Sequence, residues 1–548
     1  MTQMHVHDLA DLDPSDSTLL GGKGAGLGRM HRLGMPVPPA FVVDTVACRV
    51  YRESAGSLPD GLTDSVRAAV TRLESRTGKA FAGGEGLPLL VSVRSGAKVS
   101  MPGMMDTVLN LGLDRDSVRR LAAATGDTAF AVDTWVRFWK LFAEIVLDAD
   151  GDYLAEQVDV PRAAAARELT AETAAALEDA IVTALRAEGA TVSTDPHEQL
   201  IAAMRAVFAS WDSRRAKAYR KHHDIDDDLG TAVVVQAMVF GNLPGRSGSG
   251  VAFTRDPKTG VNRLFGEFLA GGQGEEVVAG TATPVNLTEP MPEWVATMAE
   301  LEALGRALEQ EYADALDIEF TVEDGTLYLL QVRSAKRTAA AAVRTALDLV
   351  DEGLIDPETA LRRLTADQVA TLLAPVFTPD GLAAAEAAGV LLTGIGASPG
   401  HAVGVAVLDS DRAAARVAAG DEVILVRPTT SPQDLPGMLA AKAVVTARGG
   451  ATSHAAVVSR SLDKPCVCGA AALEVSPEAG VFVVGGVKYD EGTWLSVDGA
   501  TGRVYAARLP LGVSEASLTD LRRFAAWAEQ HPVGDELGAA LRAACSPA

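Results

Sequence analysis

The chain has 548 residues, of which 48% are hydrophobic and 22% charged, and its formal net charge at pH 7 is −23. This length exceeds what one hydrophobic core usually holds, so we expect several domains. The strong acidic balance argues against nucleic acid or an anionic membrane surface as a partner, but local lysines and arginines are still able to bind phosphate groups.

Cysteine content and the N-terminus bear on where the protein resides. The four cysteines, Cys48, Cys466, Cys468 and Cys545, fit neither a disulfide framework nor zinc-ligand spacing. The first ten residues are polar, and no stretch approaches the roughly 18 consecutive apolar residues of a membrane span. These observations predict a reduced cytoplasmic protein without a signal peptide or a membrane span.

The first 340 residues are predicted to form one mixed α/β nucleotide-binding domain. Short apolar runs such as Leu89–Val93 predict strands, and residues 114–198, rich in Ala, Leu, Arg and Glu, predict a helical subdomain. Thr231–Phe240 is an unbroken β-type run, which is typical of a buried strand.

Three stretches in this region contain candidate phosphate contacts. Gly21–Gly26 is neither a Walker A loop nor a dinucleotide fingerprint, and by itself it favours a plain turn. It carries Lys23, and Arg94 follows at the end of a predicted strand. An irregular loop then offers backbone groups that could cover phosphates; the loop candidates are Gly103, Met104, Met105, Asp106 and Thr107.

A predicted hairpin around Asp324-Gly325 places polar residues in two apolar strands. Asp317 and Glu319 share one face of the first strand, as do Gln331 and Arg333 on the second. Oxygen ligands from Glu319 and Gln331 suit Mg²⁺, and Arg333 is suited to balance charge on a transferring group. Only a three-residue loop that includes residue 323 puts all four side chains on one face, so we predict that loop.

Three segments follow. Residues 341–390 predict a helical linker, which Pro357 and Pro375 divide into short helices. Residues 391–510, rich in Gly, Val and Ala, predict a compact α/β domain. Residues 511–548 predict a helical tail that packs on the linker or docks another domain.

His454 is the strongest candidate for chemistry. The predicted strand Ala443–Thr446 runs into Gly449-Gly450, and the small residues that follow are able to open a helix near His454. The positive end of that helix would bind phosphate and disfavour the imidazolium form, which keeps the ring nucleophilic. Histidine forms covalent phosphoryl intermediates. The plainer alternative is an incidental histidine beside a helix cap.

The motif around this histidine resembles a known signature. Arg448–Val458, with Lys464–Val467 after it, resembles the phosphohistidine segment of the phosphoenolpyruvate-utilising enzymes. Within that group it is most similar to pyruvate, phosphate dikinase, because Ser453 stands where phosphoenolpyruvate synthase usually has Cys. Ser92–Gly96 and Met101–Thr107 also resemble the N-terminal domain of that family.

The resemblance implies an ATP-grasp-like nucleotide domain, a swivelling phosphohistidine domain, and a set of site residues. It implies Mg²⁺ as cofactor, and ATP and inorganic phosphate as partners. The implied roles are phosphate contacts for Lys23 and Arg94, adenine-side contacts for Gln236 and Met238, a ribose contact for Asp317, an ATP contact for Arg333, metal ligation by Glu319 and Gln331, and a regulatory phosphorylation site at Thr452.

In the implied reaction His454 takes a pyrophosphoryl group from ATP, AMP leaves, and phosphate removes the terminal phosphoryl group as pyrophosphate. In the family, pyruvate then accepts the remaining phosphoryl group in a (β/α)₈ barrel. Too few residues follow His454 for such a barrel, so we expect a split dikinase with a separate barrel protein. The alternatives are a phosphotransferase with another acceptor and a non-catalytic nucleotide-binding phosphocarrier or regulator.

Overall fold

The computed structural model describes residues 5–99, 101, 104–279, 284–373, 376–512 and 515–545, without the side chains of residues 275, 278, 279, 515 and 516. Contacts divide the chain into two compact units. The first unit consists of Met1–Gly248 and Phe320–Arg333, and the second of Ser249–Glu319 and Ser334–Ala548. Within the described ranges, no helix combines the length and apolar character needed to cross a bilayer.

The elements alternate along the chain, which confirms the predicted mixed α/β, multi-domain class. The strands are β1 Val6–Asp8, β2 Ala40–Val43, β3 Val91–Gly96, β4 Thr107–Leu111, β5 Ala232–Ala237, β6 Gly248–Phe253, β7 Phe265–Ala270, β8 Val285–Asn286, β9 Leu316–Glu323, β10 Thr326–Ser334, β11 Val376–Phe377, β12 Leu392–Thr393, β13 Ile395–Ser398, β14 His401–Val407, β15 Val423–Arg427, β16 Ala443–Thr446, β17 Cys466–Cys468, β18 Leu473–Ser476, β19 Val481–Val484, β20 Val487–Asp490, β21 Trp494–Asp498, β22 Arg503–Tyr505 and β23 Leu511–Gly512.

The α-helices are α1 Ser17–Arg32, α2 Thr45–Glu53, α3 Leu62–Thr77, α4 Ser117–Thr125, α5 Thr128–Val146, α6 Gly151–Gln157, α7 Asp159–Arg167, α8 Ala171–Ala187, α9 Pro196–Ser210, α10 Arg214–His222, α11 Gly274–Ala279, α12 Val295–Tyr312, α13 Ala339–Asp351, α14 Pro357–Arg363, α15 Ala366–Leu372, α16 Pro379–Ala388, α17 Ser410–Ala418, α18 Leu435–Ala440, α19 His454–Ser461, α20 Glu515–Ala528 and α21 Asp535–Cys545. Short 3₁₀ turns occur at Leu9–Asp11, Asp227–Leu229, Pro292–Trp294 and Pro432–Asp434.

The first unit contains a five-stranded antiparallel sheet in the order β1-β2-β5-β3-β4. All residues of β5 are buried, which confirms the buried strand expected from its unbroken β-type run. Helices α4 to α8 occupy the stretch predicted to be helical. The core between them includes the large aromatic side chains of Trp135, Phe138, Trp139 and Phe142 on α5.

The turn between β9 and β10 contradicts the predicted three-residue loop. The strands end at Glu323 and resume at Thr326, and the two residues between them, Asp324 and Gly325, have φ values of 45° and 79°. Two residues in the left-handed region form the type I′ turn that Asp-Gly favours, because its twist matches the flanking strands. A two-residue turn therefore does not place the four polar hairpin residues on one face.

The second unit contains two larger sheets. One includes the neighbouring strands β6, β7 and β8, and α12 follows β8 in the chain. The other has eight strands in the order β12-β22-β21-β14-β15-β16-β17-β13, in which β14 to β17 are parallel. We call residues 392–505, which form this eight-stranded sheet, the His454 domain. A three-stranded antiparallel sheet, β18-β19-β20, belongs to the same domain.

The linker and tail helices of the second unit share one hydrophobic core. Val343 on α13 and Leu361 on α14 belong to the same buried cluster as Leu521 and Phe524 on α20 and Leu541 on α21. The tail thus packs on the linker, as one of the two alternatives predicted. The two units do not coincide with the predicted four segments, since the predicted 1–340 domain is divided between them.

Candidate functional site

His454 is the first residue of α19, directly after the glycine turn that follows β16. Gly449 has a φ of 112°, and a Cβ on it would lie 3.0 Å from the Ser453 Oγ. Glycine is therefore required there for both conformation and space. The strand, glycine turn and helix predicted around this histidine are confirmed.

The imidazole is held in a setting that keeps it neutral. Its Nδ1 lies 3.3 Å from the Thr430 Oγ1. Burial lowers the pKa of His454 below its ordinary value of 6.5, and the Asp434 carboxylate opposes that shift. Among the described residues the buried Nε2 has no hydrogen-bond partner. A neutral ring with one nitrogen unengaged is the form able to act as a nucleophile.

The Asp434 carboxylate, which acts on the pKa of His454, is itself paired with Arg427. Arg427 Nε lies 3.1 Å from Asp434 Oδ1. The Asp434 Oδ2 accepts hydrogen bonds from the backbone N–H and the hydroxyl of Ser431. Neither residue lies in a motif from which candidate site residues were named, so the sequence analysis assigned neither a role.

The loop that leads into α19 is held by a buried carboxylate on β7. Glu267 accepts hydrogen bonds from the Ala451 N–H at 2.7 Å and from the Thr452 hydroxyl at 2.6 Å. A Cβ on Gly450 would lie 2.6 Å from a Glu267 carboxylate oxygen. The sequence analysis gave Glu267 no function. Its only signal was an acidic residue within an otherwise apolar strand.

Arg460 supports the same loop from the far side of α19. Its guanidinium is 1% exposed and donates to the Ala397 and Ala451 carbonyl oxygens at 2.9 and 2.8 Å. Burial lowers its pKa, and nearby groups that include Cys466, Cys468, Asp317 and Glu267 oppose that shift.

Two buried thiols lie under the loop. The Cys466 and Cys468 sulfurs are 3.5 Å apart, and the Ser453 hydroxyl lies 3.7 Å from the Cys468 Sγ. Hydrogen bonding by the Cys466 thiol lowers the pKa of Cys468 to about 7, although burial opposes this.

In the first unit, two of the predicted phosphate-binding stretches lie against each other. The glycine-rich run is part of α1, which has a break at Gly21, and is not a plain turn. Gly22 N–H donates to the Ala97 carbonyl at 2.9 Å, and a Cβ on Gly21 would overlap the Gly96 carbonyl at the end of β3. Lys23 Cβ lies near Gly96 as well, so Lys23 and the strand that carries Arg94 are neighbours.

Arg94 and Gln331, predicted from separate motifs, are in contact. Arg94 Nη2 donates to the Gln331 Oε1 at 3.2 Å, and its Nη1 donates to the Leu330 carbonyl at 3.3 Å. Both residues belong to the first unit. In this structure the predicted amide ligand of the metal therefore accepts a hydrogen bond from a predicted phosphate-binding arginine.

The predicted adenine-side residues lie on or just beyond β5. Gln236 is 2% exposed, pairs with Ser92 across the sheet, and donates from its side chain to the Pro38 carbonyl at 3.3 Å. Met238 is half-buried, and its N–H donates to the Leu90 carbonyl at 2.8 Å. The Gln236 amide thus has a structural partner in the first unit.

The described part of the predicted phosphate loop is anchored by Arg215, which the sequence analysis did not single out. Arg215 forms an ion pair with Asp106 and donates to the Met104 carbonyl at 3.2 Å. Burial raises the pKa of Asp106 against the opposing effect of Arg215. Met105 lies near the Ser210 hydroxyl, and Thr107 begins β4 opposite Arg94. Gly103 lies outside the described residues.

The remaining predicted site residues lie on the hairpin strands. Asp317 is 3% exposed and Glu319 half-buried on β9, and Arg333 is half-buried on β10. Among the described side chains, no group of three or more His, Cys, Asp or Glu residues is placed to hold a metal ion. The carboxylate of Glu319 and the amide oxygen of Gln331 each have the hard-oxygen chemistry that Mg²⁺ prefers, but the two-residue turn does not place the two side chains on one face of the hairpin.

Comparison with known protein families identifies the group to which the chain is related. Residues 54–295 and 292–353 match the family described as pyruvate phosphate dikinase, AMP/ATP-binding domain, which covers more than half of the chain. The chain belongs to the pyruvate, phosphate dikinase family. Residues 419–502, within the His454 domain, match the PEP-utilising enzyme, mobile domain.

Individual dikinases of this family are similar over nearly the whole chain. The pyruvate, phosphate dikinase of Rhizobium meliloti (strain 1021) is 42% identical over 540 residues, which are 95% of this chain and 59% of that protein. The enzyme of Clostridium symbiosum is 42% identical over 532 residues, 96% of this chain and 60% of that protein. Pyruvate, phosphate dikinase 2 of Oryza sativa subsp. japonica is 45% identical over 520 residues, 93% of this chain and 58% of that protein. The chain thus spans about three fifths of these relatives.

Proposed function

We propose that this chain is a pyruvate, phosphate dikinase-type phosphotransferase in which ATP phosphorylates His454 with release of AMP. One observation carries the proposal. A half-buried imidazole with a lowered pKa begins a helix within the segment that matches the mobile domain, and its buried Nε2 is not hydrogen-bonded among the described residues. ATP as the phosphoryl donor is supported by membership of the dikinase family and by the match to its AMP/ATP-binding domain.

The proposed chemistry begins at Nε2. With its proton on Nδ1 and donated to the Thr430 hydroxyl, the ring has its lone pair on Nε2. That nitrogen attacks the β-phosphorus of ATP, the bond to the AMP oxygen breaks, and AMP leaves with the electron pair. The unpaired N–H groups at the start of α19 stabilise the phosphoryl oxygens. Inorganic phosphate then attacks the terminal phosphorus, so that pyrophosphate leaves and phosphohistidine remains.

We assign the nucleotide to an ATP-grasp-like site. Lys23, Arg94, Arg333 and the loop of Gly103, Met104, Met105, Asp106 and Thr107 would hold the phosphates. Gln236 and Met238 would contact the adenine, and Asp317 the ribose. Glu319 and Gln331 would hold Mg²⁺, which supplies charge neutralisation of the ATP phosphates when bound. In the structure Arg94 and Gln331 are already in contact, which supports their sharing one site.

The second half of the proposed reaction passes the phosphoryl group from His454 to pyruvate. It requires a pocket that stabilises an enolate oxyanion. The described residues do not include a (β/α)₈ barrel, so we propose that a barrel in the same or a separate polypeptide supplies this pocket. We further propose that the His454 domain moves between the two sites. Thr452, whose hydroxyl is bonded to Glu267, stays a candidate regulatory residue.

Labelling tests the proposal. [β-³²P]ATP is expected to label the 548-residue chain on His454 with an acid-labile, alkali-stable bond, and the His454→Asn variant is expected to bind ATP but take no label. Lys23→Ala and Arg94→Ala are expected to slow labelling at least ~10²-fold, the usual loss for one charged stabiliser. Arg306→Ala, on the exposed face of α12, is the control. Label on the His454→Asn variant would refute the assignment.

A further inference from the structure

A cavity of about 200 Å³ lies in the second unit, away from His454. It is bounded by linker helices α13 to α15, the residues after β10, tail helix α20, and Ser461 at the end of α19. Its apolar wall includes Val343, Leu349, Leu364 and Phe524. The family resemblance assigned no role to any of these residues.

The lining of the cavity also includes cationic side chains. These are Lys336, Arg337 and Arg363, against one lining carboxylate, Asp314. Arg337 satisfies that carboxylate with hydrogen bonds of 2.6 and 3.4 Å. Arg363 lies 3.8 Å from it and donates to the Ala313 carbonyl at 2.6 Å. Three cationic side chains therefore line the cavity beside one carboxylate, in a chain whose formal net charge is −23.

A buried hydroxyl also faces this space. Thr345, in the middle of α13, lines the cavity and is 1% exposed. Its Oγ1 has no hydrogen-bond partner among the described residues. A threonine within a helix usually bonds to the carbonyl one turn earlier, and an unsatisfied buried hydroxyl costs about 1–3 kcal/mol. The hydroxyl is thus a donor that a bound acceptor oxygen would satisfy.

We propose that this cavity binds a small organic anion that has one carboxylate or phosphate group and a compact apolar body. The cationic side chains and the Thr345 hydroxyl would meet the anionic oxygens, and the apolar wall would cover the body. The volume of about 200 Å³ is below the roughly 300–1,000 Å³ of pockets that take drug-sized ligands, so a nucleotide is excluded. The site is independent of the nucleotide site proposed above.

Ligand-observed NMR titration of the 548-residue chain tests the proposal with three matched probes: isobutyrate, isopropyl phosphate and the neutral isobutyramide. At least one anion is expected to bind with a dissociation constant on the order of 1 mM, the affinity that so few atoms supply. The amide is expected to bind at least ~10-fold more weakly, since it lacks the charge. Binding of one anion alone identifies its head group as the one recognised. Failure of both anions to bind, or equal binding of the amide, overturns the proposal.

Variants locate the binding. Arg363→Gln is expected to weaken the affinity for the anion at least ~10-fold, because it removes a charged hydrogen-bond donor. Thr345→Val is expected to weaken it about 3-fold, because it removes a neutral donor. Arg344→Gln is the control. Arg344 is exposed on α13, the helix that carries Thr345, and pairs with Asp348. Ala342→Leu, from a half-buried position on the lining, fills the cavity and is expected to abolish binding even if Arg363→Gln does not fold. Unchanged binding by Ala342→Leu, or equal losses in the Arg344 and Arg363 variants, refutes the site.

Discussion

At the scale of single residues, burial decides the protonation of the nucleophile. Protein around His454 excludes water from the ring, which penalises the imidazolium, while Asp434 offsets part of that penalty. The shift is downward, so the ring stays neutral at pH values where an exposed histidine would be half protonated. A nucleophile prepared in this way does not depend on an external base near neutral pH.

This shift gives a pH prediction. The rate of His454 labelling is expected to fall on the acid side with a midpoint below 6.5, because the folded-state pKa lies below its ordinary value. Asp434→Asn is expected to move the midpoint lower still, since the carboxylate raises the pKa. The measurement is the pH dependence of [β-³²P]ATP labelling in single-turnover experiments. A midpoint above 6.5 for the unmodified chain would contradict the assigned cause.

Residue types along the chain predicted some site residues well and others poorly. The role of His454 was predictable because a strand, two glycines and a run of small residues follow one another directly. Such a local pattern determines the backbone geometry over a few consecutive residues. Arg215 and Glu267 were missed because they act on loops more than one hundred positions away in the sequence. Gln236 was predicted as an adenine contact, but its side-chain amide donates to Pro38, a pairing set by tertiary structure.

At the scale of elements, the loop between β16 and α19 depends on β7. Glu267 accepts from the Ala451 backbone N–H, for which a turn usually supplies a partner within itself, and the Thr452 hydroxyl adds a second hydrogen bond. Gly450 permits this approach, since a side chain there would occupy the position of the carboxylate. The hairpin turn shows the opposite case. Its local Asp-Gly preference outweighed the polar pattern from which the longer loop was predicted.

Gly450→Ala is therefore expected to displace the loop and slow His454 labelling about 10-fold or more, because a steric shift misplaces the nucleophile. Glu267→Ala removes the obstacle but also the two hydrogen bonds, so it should slow labelling as well. The double variant is expected to lose less than the product of the single losses, since the clash is then absent. The measurement is the rate of His454 labelling in the unmodified chain, the two single variants and the double variant. Strictly multiplicative losses would argue against a direct contact between residue 450 and Glu267.

At the scale of the whole molecule, one hydrophobic core of the second unit is formed by helices from distant parts of the sequence. Leu521 and Phe524 of α20 are fully buried against linker helices α13 and α14. Leu521→Ala and Phe524→Ala are each expected to destabilise the folded protein by roughly 2–5 kcal/mol, the usual cost of an emptied core position. Calorimetric melting of the variants measures this, with exposed Arg522→Ala as the control. Equal melting temperatures for all of them would place the tail outside the cooperative core.

The shared core of linker and tail also constrains how the chain folds as it is made. About 140 residues separate the end of α15 from the start of α20, and the His454 domain lies between them. At roughly 5–20 residues per second, synthesis of that interval takes on the order of 10–30 s. During this time the apolar faces of α13 to α15 have emerged from the ribosome without the helices that cover them. The His454 domain has its core residues within one segment, residues 392–504, so it is able to fold once that segment has emerged. The linker helices are therefore exposed to chaperones and to aggregation until α20 and α21 emerge.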